Sequence, residues 1–75
     1  MNNLNVAFGK VLKIYRKDAG LSQEQLALQC DLDRTYIGLL ERAERQPSIT
    51  TIFKICTALN VKPHEFIKEV EKLIN

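Results

Sequence analysis

An all-α fold built from five short helices is what this sequence predicts, on three observations. Apolar residues recur every three to four positions along almost the whole chain, and no stretch alternates in the strand manner. Helix starts are marked by Ser22, Asp33 and Ser48, each just ahead of an apolar-periodic run. Gly20 and Asn60 stand where such runs stop.

Helix one is expected over about residues 6–18, where Phe8, Val11, Leu12 and Tyr15 follow the i, i+3, i+4, i+7 pattern. Ser22 opens SQEQLALQC, in which Ser22 and Gln25 form an S-x-x-Q capping box and Leu21 can staple onto Leu26; this predicts helix two over 22–30. Asp33 can cap helix three, over 33–42, with Leu32 stapling onto Ile37 and with Ile37, Leu40 and Glu41 turned inward. A polar loop broken by Pro47 follows. Ser48 can then cap helix four, whose apolar face is read as Ile49, Ile52, Phe53, Cys56 and Leu59. Pro63 suits the first turn of helix five, over 63–74, which carries Phe66, Ile67, Val70, Leu73 and Ile74.

The 75 residues make one domain, spanning 1–75, without repeats, linkers or low-complexity segments. A core of this size has little stability to spare, so self-association would supplement it. Net charge is only +2, but it is unevenly spread. Residues 1–20 set Lys10, Lys13, Arg16 and Lys17 against Asp18, a local +3. Residues 21–47 set three arginines against five acidic residues, a local −2. A nucleic-acid surface would therefore be a patch and not a basic tail. No apolar run is long enough for a membrane span, and the N-terminus has no signal-peptide pattern, which gives a cytoplasmic expectation. Cys30 and Cys56 read as reduced, buried thiols; with one histidine, His64, they cannot make a convincing zinc site. There is no nucleophile–base pair and no phosphate-cradling glycine loop, so neither an enzyme nor a cofactor is expected.

Helices two and three are short and joined by about three residues, a connection that forces a steep crossing, as in a helix-turn-helix over about 22–42. Ala27 supplies a small side chain at the crossing, and Asp31 is acceptable at a positive-φ turn position. If Ile37, Leu40 and Glu41 face inward, then Arg34, Thr35, Gly38 and Arg42 face outward. Residues near the start of a recognition helix meet base edges. Arg34 can fork onto guanine, the Thr35 methyl can touch a thymine methyl, and Tyr36 can bond a phosphate or lie along the groove wall. Gly38 is read as removing bulk where the helix approaches DNA, since glycine otherwise costs about 1 kcal/mol there relative to alanine.

Residues 9–61 resemble the Cro/C1-type (Xre-like) helix-turn-helix regulators, on LSQEQLA, YIGLLER and the P-S-x-x-T-x-x-K-I-C-x-A-L pattern taken together. LDRTYIGLLER followed by a short basic loop is most similar to the controller proteins of restriction–modification systems. The resemblance implies a five-helix, lambda-repressor-like domain and a homodimer that binds an inverted-repeat operator in double-stranded DNA. It implies that Arg16 and Glu41 form a buried structural ion pair. It implies base contacts by Arg34, Thr35 and Tyr36, and backbone contacts by Gln23, Arg42, Arg45, Gln46 and Ser48. Helix five is the implied dimerisation region, through Phe66, Ile67, Val70 and Ile74. Glu24 reads first as an acidic residue favourably placed on the helix dipole; the alternative, implied by the resemblance, is a contact with RNA polymerase, which some family members touch with an acidic residue of helix two. A phage-type repressor, or an antitoxin-like helical module holding a protein partner, is the alternative. No small-molecule ligand is implied.

Overall fold

The computed structural model describes residues 3–75, and among them it contains five α-helices and no strand: α1 (Asn3–Asp18), α2 (Gln23–Cys30), α3 (Arg34–Glu41), α4 (Ile49–Leu59) and α5 (Pro63–Ile74). The caps act as the sequence predicts. Ser22 Oγ accepts from the Gln25 N–H at 3.0 Å, and Gln25 Oε1 accepts from the Ser22 N–H at 2.8 Å. Asp33 Oδ1 takes the Thr35 N–H at 2.8 Å, and Ser48 Oγ takes the Thr51 N–H at 3.1 Å. Asp31 and Asn60 end α2 and α4 in the left-handed region, at φ 59° and 58°. α1 begins at Asn3 and not at residue 6; Leu4, Ala7, Phe8 and Val11 already follow the i, i+3, i+4, i+7 pattern.

One positive φ has no sequence signal. Ala43, at φ 63°, turns the chain out of α3, and the Glu44 N–H then closes onto Leu39 O at 2.8 Å. Alanine is an unfavourable residue for that conformation, and the hydrogen bonds of the C-terminal turn hold it there.

The core gathers Leu12 from α1, Leu26 from α2, Ile37 and Leu40 from α3, Ile55 from α4 and Phe66 from α5, all fully buried. The Phe66 ring lies between Phe8 (centroids 5.2 Å apart) and Tyr15 (5.3 Å). Two of the four residues expected at a dimer surface are therefore internal: Phe66 and Val70 point into α1. Ile67 and Ile74 remain exposed. Helix five has one broad apolar face, wider than this small core needs; Phe66 and Val70 enter the core, and Ile67, Leu73 and Ile74 flank them in the open.

The inward face of α4 also differs from the sequence reading. Thr51, Ile55 and Cys56 are buried, whereas Ile49 is 70% and Phe53 54% exposed. The apolar arc of ITTIFKICTAL, from Ile55 round to Phe53, is wider than the face the core covers, and the buried face lies at its Ile55 edge, where it takes in Thr51. Thr51 tolerates burial because its hydroxyl oxygen accepts from Ser48 Oγ at 3.0 Å. Cys30 and Cys56 are buried free thiols; burial holds both in the protonated form, with Cys56 pushed up to about 11.

Gly9 sets the distance between α1 and α3. A β-carbon on Gly9 would lie 2.6 Å from Leu40 O and 2.7 Å from Glu41 O, both backbone atoms. Gly9→Ala is therefore expected to destabilise by about 1–3 kcal/mol, overpacking outweighing alanine's better helix propensity. Urea unfolding of the variant checks this, and an unchanged midpoint would contradict so close a helix contact.

Candidate nucleic-acid interface

The N-terminal turns of α2 and α3 open onto a shallow concave surface lined by Gln23, Arg34, Thr35, Gly38 and Arg42. Asp33 fixes the entry of α3 by capping it, so Arg34 and Thr35 emerge from its first turn, both exposed. Tyr36 is half-buried, its ring packed against the edge of the core.

Behind that surface is a nearly buried ion pair. Arg16 Nε and Nη2 donate to Glu41 Oε2 and Oε1 at 2.6 and 3.0 Å, and Arg16 Nη1 donates to Leu21 O at 2.8 Å. The two side chains keep only 9% and 4% of their exposure. The bond to Glu41 raises the Arg16 pKa further above its ordinary value, against the opposing effect of burial. The pair thus ties α1, the start of α2 and the end of α3 together.

The network extends to the surface. Glu41 Oε1 also accepts from Gln23 Nε2 at 3.1 Å, which fixes the orientation of the Gln23 amide. One amide N–H of Gln23 is therefore committed within the chain. The acidic balance of residues 21–47 overstates the negative charge here. Glu41 is neutralised by Arg16 from outside that segment, and the Asp33 carboxylate caps α3.

The remaining expected contacts divide. Arg45 and Gln46 are exposed in the α3–α4 loop, and Glu24 is exposed in the first turn of α2. Ser48 stands at the start of α4, but its hydroxyl accepts from the Thr51 N–H and donates to Thr51 Oγ1. Its side chain therefore serves the helix cap and offers phosphate no free donor. Gly38 is not the open face that the sequence suggests: it is buried, and its flank is covered by Arg42 and Gln23. Arg42 also reaches Glu44 at 3.3 Å. The clue that Arg42 covers residue 38 was present in the four-residue spacing of the two.

A helix-turn-helix family model (HTH_3) matches residues 12–66, and so covers both helices of this surface. The chain is also 45% identical over 67 residues to the control protein C.BamHI of Bacillus amyloliquefaciens, covering 88% of this chain and 83% of that one. This chain belongs to the helix-turn-helix family, among the restriction–modification controller proteins. Within that family its fold matches the crystal structure of the controller protein C.AhdI from Aeromonas hydrophila, with a TM-score of 0.81, 45% identity, and coverage of 83% of this chain and 94% of that one. It matches the controller protein C.Esp1396I, solved as a tetramer in complex with its natural 35 base-pair operator, with a TM-score of 0.90, 34% identity, and coverage of 99% and 97%. No helix among the described residues is long and apolar enough to cross a membrane.

Proposed function

We propose that this chain is a sequence-specific DNA-binding transcription regulator that binds an inverted-repeat operator as a homodimer and controls a restriction–modification operon, its own gene included. The observation that carries the reading is the exposed Arg34–Thr35 pair in the first turn of α3, beside a Gln23 amide oriented by the buried Arg16–Glu41 pair. Arg34 and Thr35 meet base edges in the major groove. Tyr36 lies along the groove wall. The free amide N–H of Gln23 and the exposed Arg45 and Gln46 follow the phosphate backbone. The operator complex of the C.Esp1396I relative supports the reading.

A second copy covers the apolar surface bordering the phosphate-facing loop, lined by Pro47, Ile52, Ile67 and Ile74. An interface beside that loop suits a two-fold dimer, because its axis passes between two recognition helices about 34 Å apart.

The test is an anisotropy titration of DNA from upstream of the gene against a random duplex of equal length, across a salt series. Specific affinity exceeding the random duplex by about a thousandfold is expected. Arg34→Ala should weaken operator binding by about tenfold to a hundredfold while weakening random-duplex binding much less. Equal losses on both duplexes would contradict base reading by Arg34. Equal, salt-sensitive binding of both duplexes by the wild-type chain would overturn the regulator reading for that DNA and favour a protein partner.

A further inference from the structure

We propose that Arg42 reads a guanine in the operator from the space that a side chain at residue 38 would otherwise fill. This rests on the reading that the α2–α3 surface binds DNA. Side chains on a helix lean toward its N-terminus, so a residue covers the turn before its own. Arg42, immediately after α3, covers Gly38. A β-carbon on Gly38 would lie 3.0 Å from Arg42 Nη1 and 3.4 Å from Gln23 Oε1. Glycine at residue 38 leaves the guanidinium its place in the same concavity as Arg34 and Thr35, closer to the base-reading end of the helix than its own α-carbon.

The orientation of the guanidinium supports a base and not a phosphate as its target. Arg42 Nε faces Glu44 Oε2 at 3.3 Å, which leaves Nη1 and Nη2 as a free fork. A fork fits guanine O6 and N7. Glu44 beside it makes a poor phosphate site, because a phosphate bound there would be repelled by the carboxylate. Guanine O6 and N7 are neutral acceptors and meet no such repulsion. Lysine keeps the charge that attracts a phosphate but cannot supply the planar fork.

The experiment compares wild-type chain, Arg42→Lys, Arg42→Ala, Gly38→Val and the Gly38→Val/Arg42→Ala double variant on the footprinted operator and on a random duplex, with circular dichroism confirming helix content. Arg42→Lys keeps the charge, so random-duplex affinity and salt slope should hold while operator affinity falls about tenfold or more. One operator guanine replaced by 7-deazaguanine, which lacks N7, should weaken the wild type and leave Arg42→Ala, which has no donor there, unaffected. Gly38→Val should weaken operator binding when Arg42 is present and add nothing to Arg42→Ala. An Arg42→Lys variant with the wild-type ratio of specific to random binding would overturn the proposal, as would equal Gly38→Val losses in both backgrounds. A wild-type chain that prefers no operator would instead overturn the regulator reading, and this inference with it.

Discussion

Glu41→Ala is expected to lower the free energy of unfolding by about 3–5 kcal/mol, because it leaves a guanidinium buried without its counter-charge. Arg16 is 8% exposed, and two of its three hydrogen bonds go to Glu41. The usual escape of a stranded charge, loss of its proton, is closed to a guanidinium. Against a stability of typically 5–15 kcal/mol for a whole domain, a loss of this size removes much of the margin. Urea unfolding checks it. A loss below about 1 kcal/mol would mean that the pair behaves like an exposed one. The double variant Arg16→Met/Glu41→Leu should recover much of the loss, since replacing both charges with apolar groups strands neither. It should not recover operator binding, because Gln23 loses the carboxylate that orients it in both variants.

That network shows where the sequence was legible and where it was not. The caps at Ser22, Asp33 and Ser48 could be read directly, because capping joins a side chain to a backbone N–H two or three residues on. The five helices and their order followed. The Arg16–Glu41 pair spans 25 residues, and nothing local announces it; only resemblance to a family placed the two together. The faces of α4 and α5 were unreadable for a different reason. Each helix carries an apolar arc wider than the face it buries, so the choice of Ile55 over Phe53, and of Phe66 over Ile67, is made by neighbouring helices. Ala43 was missed because alanine is not a turn residue, and its left-handed conformation comes from how α3 ends. At the site, Arg34 and Thr35 were read correctly as exposed, since a capped helix exposes its first turn. Gly38 was read as an open face because its role depends on where the Arg42 side chain lies, and residue identity does not give that.

Phe66→Ala separates core from interface on α5. Phe66 has no exposed surface and packs its ring between Phe8 and Tyr15, so truncation removes buried apolar area and leaves a cavity where α5 meets α1. A Phe→Ala change of this kind costs about 3–5 kcal/mol. The loss should appear as a lower unfolding midpoint at every protein concentration, because the contacts removed lie within one chain. Ile67→Ala is the contrasting variant. Ile67 is 41% exposed, so its truncation should leave the fold of one chain nearly intact and act through self-association, with sedimentation shifting toward monomer. If Phe66→Ala instead dissociated the assembly while preserving the unfolding midpoint at high dilution, the ring would belong to the interface, and the core described for α5 would be wrong. The two variants are one residue apart on the same helix, so propensity effects are alike and the difference between them reports the face each residue occupies.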